Sequence, residues 1–233
     1  MGSKALPLAL NQLSEKMKIL EARPYQLELL ELAKKKNIIV YLGTGSGKTF
    51  FAVMLIQHLR GELGKLEKGR IQGGKKAIFL VSSVALVEQQ AREIRNTTGL
   101  QVGTYCGSDG VDDWEEYKWM DEFSKYQVLV FVHEVFRSVL SCKFLQFRDL
   151  ALLVLDQCHH AVKNHPYSVI MNMYNENKSA GNPVPKVLGL TACVVVETCN
   201  VEQFRKQKFR LEEKMDCKVA TGENRSSTIC TKI

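Results

Sequence analysis

The sequence has no pair of cysteines at metal-ligand spacing. Its seven cysteines, Cys106, Cys142, Cys158, Cys193, Cys199, Cys217 and Cys230, are scattered and odd in number. That excludes a zinc ribbon and a disulfide-stapled scaffold. It suits buried thiols in a reducing compartment, so a cytoplasmic location is expected. No apolar run is long enough to span a bilayer, and residues 1–10 hold too short an apolar stretch for a secretory leader, so no membrane partner is expected. Gly2 is followed by Leu at position 6, which breaks the myristoylation pattern. There is no internal repeat and no low-complexity tract, which excludes solenoids and fibrous arrays.

What remains is an ordinary globular composition. The chain has 233 residues, 45% of them apolar, enough for one domain with a sizeable core. Net charge is +7, which fits a polyanionic partner or simply a basic solvated surface. Apolar, β-rich runs at 37–42, 76–81, 101–105, 127–132, 151–155 and 186–190 alternate with helical patterns at 49–63, 84–96, 113–124, 134–142 and 165–175. Near-continuous apolar strands separated by helices predict an α/β fold, a parallel sheet with helices on both faces and ligands at the strands' carboxyl ends. Residues 61–75 and 175–185 read as surface loops, 201–215 as a charged amphipathic helix, and 221–227 as a polar tail. The expected organisation is an N-terminal extension (1–20), a nucleotide-binding lobe (21–196), and a C-terminal helix with a truncated tail (197–233).

Tyr41-Leu42-Gly43-Thr44-Gly45-Ser46-Gly47-Lys48-Thr49 lies between an apolar strand and a helix. This is the context in which a glycine-rich loop cradles phosphates. Glycines let backbone N–H groups curl around the anion, and the helix adds its positive end. Gly43, Thr44, Gly45, Ser46 and Gly47 would form the cradle. Lys48 would reach the β and γ phosphates and the Thr49 hydroxyl would hold Mg²⁺. The strict pattern wants glycine where Leu42 stands.

A second run, Leu152-Leu153-Val154-Leu155-Asp156, is a buried strand delivering an acid at its end. Asp156 would share the Mg²⁺ with Thr49. The next residue is ordinarily the glutamate that deprotonates the attacking water, and here it is Gln157. An amide keeps the pocket's shape but accepts no proton at neutral pH. Triphosphate binding should survive while hydrolysis suffers by about 10²–10⁴. Cys158-His159-His160 with His165 lacks zinc spacing. His133 stands alone at a strand end and reads as a packed or capping residue.

Asp156-Gln157-Cys158-His159 resembles the DECH box of superfamily 2 helicases. Thr191-Ala192-Cys193 resembles their motif III, Arg23-Pro24-Tyr25-Gln26 their adenine motif, and Phe79-Leu80-Val81-Ser82-Ser83 their motif Ia. Tyr25-Gln26-Leu27-Glu28-Leu29-Leu30, the Gly-Ser-Gly-Lys-Thr-Phe run at 45–50, and Asp156 to His160 followed by His165-Pro166-Tyr167 look like the helicase region of the Dicer family. Val102-Gly103-Thr104-Tyr105 with Gly110-Val111-Asp112-Asp113-Trp114 is most like its arthropod antiviral members. The likeness covers roughly residues 20–215.

The resemblance implies a RecA-like first lobe (a P-loop NTPase of the DExH-box type), ATP and Mg²⁺ as cofactors, and double-stranded RNA as partner in RNA interference. It implies that Gln26 meets the adenine edge, that His159 and Thr191 couple nucleotide state to movement, and that Lys48, Asp156 and Gln157 occupy the catalytic positions. It also implies a second helicase lobe and, more weakly, a double-stranded-RNA-binding cofactor protein. This chain is expected to stop after the first lobe, without RNase III acids, and so not to dice RNA itself. Departures from the pattern fall at polar working positions: Gln157, Cys193 for a hydroxyl, and Val132 for a threonine.

For RNA, Ser82, Ser83, Gly107 and Gly110 would contact phosphates without reading sequence. Blander readings stand beside these. Ser82 or Ser83 caps the next helix, Asp112 with Glu115 makes a capping box, and Trp114 and Trp119 are core. Two other functions also stay open: a non-catalytic ATP- or RNA-binding module, and a small-molecule kinase. The long interval from Lys48 to Asp156 argues against the kinase.

Overall fold

The computed structural model describes residues 22–194 and 200–222. The proposed extension 1–20 lies outside them. In chain order the elements are α1 (Pro24–Lys35), β1 (Ile38–Tyr41), α2 (Lys48–His58), β2 (Lys65–Glu67), β3 (Arg70–Gln72), β4 (Lys76–Val81), α3 (Val84–Thr98), β5 (Val102–Tyr105), α4 (Glu116–Phe123), β6 (Val128–Val132), α5 (His133–Ser141), β7 (Leu150–Asp156), α6 (Pro166–Ser179), β8 (Lys186–Thr191), α7 (Val201–Met215) and β9 (Lys218–Ala220).

Seven strands form one sheet in the order β5-β6-β4-β7-β8-β1-β9, and all the pairings are parallel. Parallel strands need crossovers, and the crossovers here are helices, so both faces are covered and the strands read as unbroken Ile, Val and Leu runs. Strand alternation sends neighbours to opposite faces. Ile38, Val40, Phe79 and Val81 join α1, α2 and α3 in one core layer, while Ile39, Ile78 and Leu80 join α4, α5, α6 and α7 in the other. From β1 the chain crosses past β8 and β7 to β4. That reversal opens a crevice at the carboxyl end of β1, where α2 begins.

Several expectations change. The predicted loop 61–75 contains the antiparallel hairpin β2–β3, which leans on α4: Ile71 N–H donates to the Ser124 carbonyl at 2.6 Å and Arg70 pairs with Asp121 at 2.7 Å. Its strands are only three residues each, with one apolar side chain apiece, Leu66 and Ile71, too short for an alternation to mark them. Helix α6 runs on to Ser179 through residues predicted as loop, where Asn175 donates to the Lys214 carbonyl at 3.1 Å and Asn177 to the Met173 carbonyl at 2.9 Å. Helix α4 starts at Glu116 after two short 3-10 turns. Strand β9 pairs with β1 at Ile38–Val40, so residues after α7 rejoin the sheet edge. Trp119 is buried as expected, whereas Trp114 is only half-buried.

Candidate functional site

Leu42 explains its own departure from the glycine-rich pattern: it is buried in the core, with its N–H donating to the Thr191 carbonyl at 3.1 Å. The loop turns immediately afterwards. The Gly43 carbonyl accepts from Ser46 N–H at 3.3 Å and from Ser46 Oγ at 2.5 Å. The Lys48 ammonium folds back over the loop, donating to the carbonyls of Leu42 at 3.0 Å and Gly43 at 2.9 Å. Burial pushes the Lys48 pKa down while Asp156 works in the opposite direction. Burial likewise pushes Asp156 up, countered by the Gln157 N–H and by Lys48. These two groups from β7 and α2 therefore share one electrostatic site.

Gly47 caps α2 with φ 82°. A side chain is excluded there twice over, by that left-handed backbone and because an added Cβ would lie 2.8 Å from Gln26 Nε2. Gln26 is buried and ties α1 to the loop. Its Nε2 donates to the carbonyls of Ser46 at 3.3 Å and Gly47 at 3.5 Å, and its Oε1 accepts the Arg23 N–H at 2.9 Å. One lone pair on Oε1 remains for an external donor such as an exocyclic amine. Tyr25, given no role from the sequence, donates its hydroxyl to the same Ser46 carbonyl at 3.0 Å. Thr44 and Gly45 are exposed, and Ser46, Gly47, Lys48 and Thr49 are half-exposed. Bare helix-terminal N–H groups, glycine at the tight positions and a lysine suit a phosphate chain. The oxygen donors Thr49 and Asp156 suit a hard cation such as Mg²⁺.

Gln157 holds a left-handed backbone, φ 53° and ψ 43°, and its N–H donates to Asp156 Oδ1 at 3.0 Å. Tyr167 steadies this strand end from below, its hydroxyl 2.8 Å from the Asp156 carbonyl and 3.2 Å from that of Leu80. The sequence marked Tyr167 only as part of a motif. Pro166 at the start of α6 fixes where that tyrosine enters.

His159, in the 3-10 turn after β7, and Thr191, at the end of β8, meet at 2.8 Å. Thr191 gives its single proton to the Cys193 carbonyl and accepts the Cys193 N–H at 3.0 Å. The same hydroxyl therefore ties His159 to the Cys193 backbone. Burial and the neighbouring His160 push His159 down to about 4, so the ring is neutral. His133 is a packed residue, as read from the sequence. Its ring packs edge-on against His165 at 4.8 Å and Tyr167 at 5.1 Å, and His160 continues the stack to His165 at 5.6 Å.

The four RNA-contact candidates divide into two places. Ser82 and Ser83 follow β4, Gly107 and Gly110 follow β5, and β6 lies between those strands. All but half-buried Ser82 are exposed. Ser83 sits at the N-cap of α3 without a side-chain capping bond. The expected N-cap at Asp112 falls elsewhere: Asp112 lies within a 3-10 turn and Glu115 is itself the N-cap of α4. Residues 109–116 carry five carboxylates and no base, which opposes a phosphate close to Gly110.

Comparison with known proteins agrees with this geometry. Residues 23–201 match the DEAD/DEAH box helicase family. The chain is 39% identical over 211 residues to endoribonuclease Dicer homolog 1 of Arabidopsis thaliana, covering 88% of this chain and 10% of that protein. It is 40% identical over 195 residues to endoribonuclease Dicer of Gallus gallus, covering 82% and 10%. This chain thus spans about a tenth of the length of these relatives. The helicase domain of Hef from Pyrococcus furiosus superposes with a TM-score of 0.68 at 21% identity, over 91% of this chain and 40% of that one, which gives the RecA-like helicase fold. The chain belongs to the DEAD/DEAH box helicase family.

Proposed function

We propose that this chain is the ATP-binding first helicase lobe of a Dicer-type protein, acting on double-stranded RNA in RNA silencing in the cytoplasm, with hydrolysis impaired by Gln157. The observation that carries the reading is the Lys48 ammonium folded over the glycine loop onto the Leu42 and Gly43 carbonyls, with Asp156 at the end of β7 electrostatically coupled to it. Lys48 would exchange its bonds to the Leu42 and Gly43 carbonyls for phosphate oxygens. Gln26 would accept from the adenine amine. Thr49 and Asp156 would hold Mg²⁺, which neutralises phosphate charge when bound. Gln157 can orient a water but cannot take its proton. The 39–40% identity to Dicer proteins supports the silencing context. A second helicase lobe and a double-stranded-RNA-binding cofactor protein are the partners this reading calls for. Ser82 and Ser83 are better placed for duplex contact than Gly107 and Gly110, which lie beside the carboxylates.

Gln157 also favours a second reading, a module that uses ATP as a structural ligand without turnover. Calorimetry with Mg-ATP and phosphate release with long duplex RNA, on this chain and on Gln157→Glu with a second lobe supplied, separate the two. Binding by both with turnover only in Gln157→Glu supports the impaired-lobe reading. Binding by both with turnover in neither supports the structural-ligand reading. Absence of ATP binding in both overturns the ATP site.

A further inference from the structure

We propose that this chain self-associates head to tail, the acidic face of α4 on one copy seating in a basic-rimmed groove beside α7 on the next.

The groove has a volume of about 830 Å³ and runs between α7 and the loop that follows β7. One wall is a single helical stripe, Gln207, Arg210, Leu211 and Lys214, at spacings of three and four. Such a stripe is a straight track of about 10 Å. The floor is apolar, with Ala161, Val194 and Leu211 buried beneath it. Val162 stands 46% exposed at its edge. Lys163, from the loop after β7, lines the groove with Arg210 and Lys214 of α7, against the one carboxylate of Glu213. Among the described residues neither Lys163 nor Arg210 has an ion-pair partner. A track of this length, apolar below and positive at both rims, fits a short acidic amphipathic helix. Duplex RNA would leave the floor unfilled, because its backbone presents phosphate and sugar rather than apolar side chains.

This chain itself carries such a helix. Helix α4 turns Trp119 and Phe123 into the core and leaves Tyr117 72% and Met120 46% exposed, one turn apart. Asp121 and Glu122 of this helix are paired with Arg70 and Lys125, so its acidic part is the N-terminal end, where Asp113, Glu115 and Glu116 are all exposed, with Lys118 drawn aside over the Trp114 ring at 4.0 Å. Two apolar anchors one turn apart on an acidic helix are what a groove of this kind takes up. The two surfaces lie at opposite ends of the sheet: Trp119 stacks near Tyr105 of β5 and Phe131 of β6, and α7 packs by α6 and leads into β9. Joined, they make a contact between two different surfaces, which closes into a pair or ring or continues as an open chain according to the rotation between copies.

Sedimentation velocity on nucleic-acid-free protein tests this, taken up to about 200 µM because so small a contact holds weakly. The weight-average mass should climb above the 26.4 kDa monomer as concentration rises. Arg210→Glu with Lys214→Glu should hold the mass at monomer, and so should Glu115→Lys with Glu116→Lys. An equimolar mixture of the two reversed proteins should associate again. Reversal of Lys34 and Lys35, on α1 across the sheet, should change nothing. Tyr117→Ser, which alters no charge, should weaken association about tenfold if the ring is an anchor. Circular dichroism melts confirm folding of each variant. A wild-type chain that stays monomeric throughout, reversals that still associate alone, a mixture that stays monomeric, or association seen only with added RNA would each overturn the proposal.

Discussion

The Nδ1 of His159 and the Oγ1 of Thr191 lie 2.8 Å apart and join the end of β7 to the end of β8. Thr191 is fully buried, and the same oxygen accepts the Cys193 N–H. Thr191→Val keeps the shape and leaves the Cys193 N–H and the His159 Nδ1 facing a methyl group. An unsatisfied buried polar group costs about 1–3 kcal/mol. Thr191→Val is expected to lower the unfolding free energy by about 2 kcal/mol in urea titrations, while Thr191→Ser stays close to wild type. Equal stability of all three proteins would show that this joint contributes nothing to the fold.

The histidine stack makes a second measurable claim. Burial, then His160, holds His159 at about 4. Burial, then His133 and His160, holds His165 at about 4 against the opposing pull of Glu134. An ordinary histidine titrates near 6.5, so between about pH 6.5 and 4 the unfolded chain binds more protons than the folded one. Stability from these rings is complete above about pH 6.5 and drains as pH falls toward 4. His165 Nδ1 also accepts the Tyr167 N–H at 3.2 Å, capping α6. Asparagine can make that cap without titrating. His165→Asn is therefore expected to flatten the fall of melting temperature between pH 6.5 and 4, and to leave pH 7.5 stability nearly unchanged. An unaltered slope would assign the pH dependence elsewhere.

How far the sequence carried this structure depends on how local each cause is. Strand β4 and helix α7 agree with expectation at both ends, because apolar continuity and a 3.6-residue stripe are written in consecutive residues. The carboxyl-end location of Lys48, Asp156 and Thr191 followed from strand order alone. The hairpin β2–β3 was invisible because its stability comes from α4, distant in sequence, through Arg70 and Ile71. That His133 packs was legible from its strand end, but its partners His165 and Tyr167 were not, since they need β6 and α6 to be neighbours. The Asp112–Glu115 capping spacing was legible, but the N-cap falls at Glu115, because the chain first spends Asp112 on a 3-10 turn.

Gln26 offers a test of how the loop is held open. Glutamate is nearly isosteric, yet it would set an anionic oxygen against the Ser46 and Gly47 carbonyls that Nε2 now serves. Losing two donated bonds and gaining repulsion costs about 1–3 kcal/mol at this buried position. If loop order is what binds ATP, Gln26→Glu should weaken Mg-ATP binding by about tenfold or more in calorimetry. The melting temperature should drop by a few degrees as well. Binding at wild-type strength would show that Gln26 shapes neither the loop nor the nucleotide pocket.

Gly189, in the middle of β8, sets the distance between two strands' worth of side chains. A Cβ there would sit 2.8 Å from Cys158 Sγ and 2.9 Å from Ile39 Cγ1, with Cys158 Cβ at 3.4 Å. Both neighbours are fully buried, so neither side chain can swing into solvent. The backbone of β8 is paired on both sides, to β1 and β7, and cannot retreat. Gly189→Ala must therefore displace Cys158, and with it the turn that carries Gln157 and His159. Overpacking of this kind costs about 1–3 kcal/mol. Cys158→Ala alone opens a small cavity and should cost less. Combined, the two should be less destabilising than their sum, because removing Sγ relieves one of the two clashes while Ile39 still resists. A double-mutant cycle by urea unfolding should return a favourable coupling of about 0.5–1 kcal/mol. Strict additivity would mean that β8 accommodates the methyl group by another route, and that Cys158 does not transmit strand spacing to the Asp156 turn.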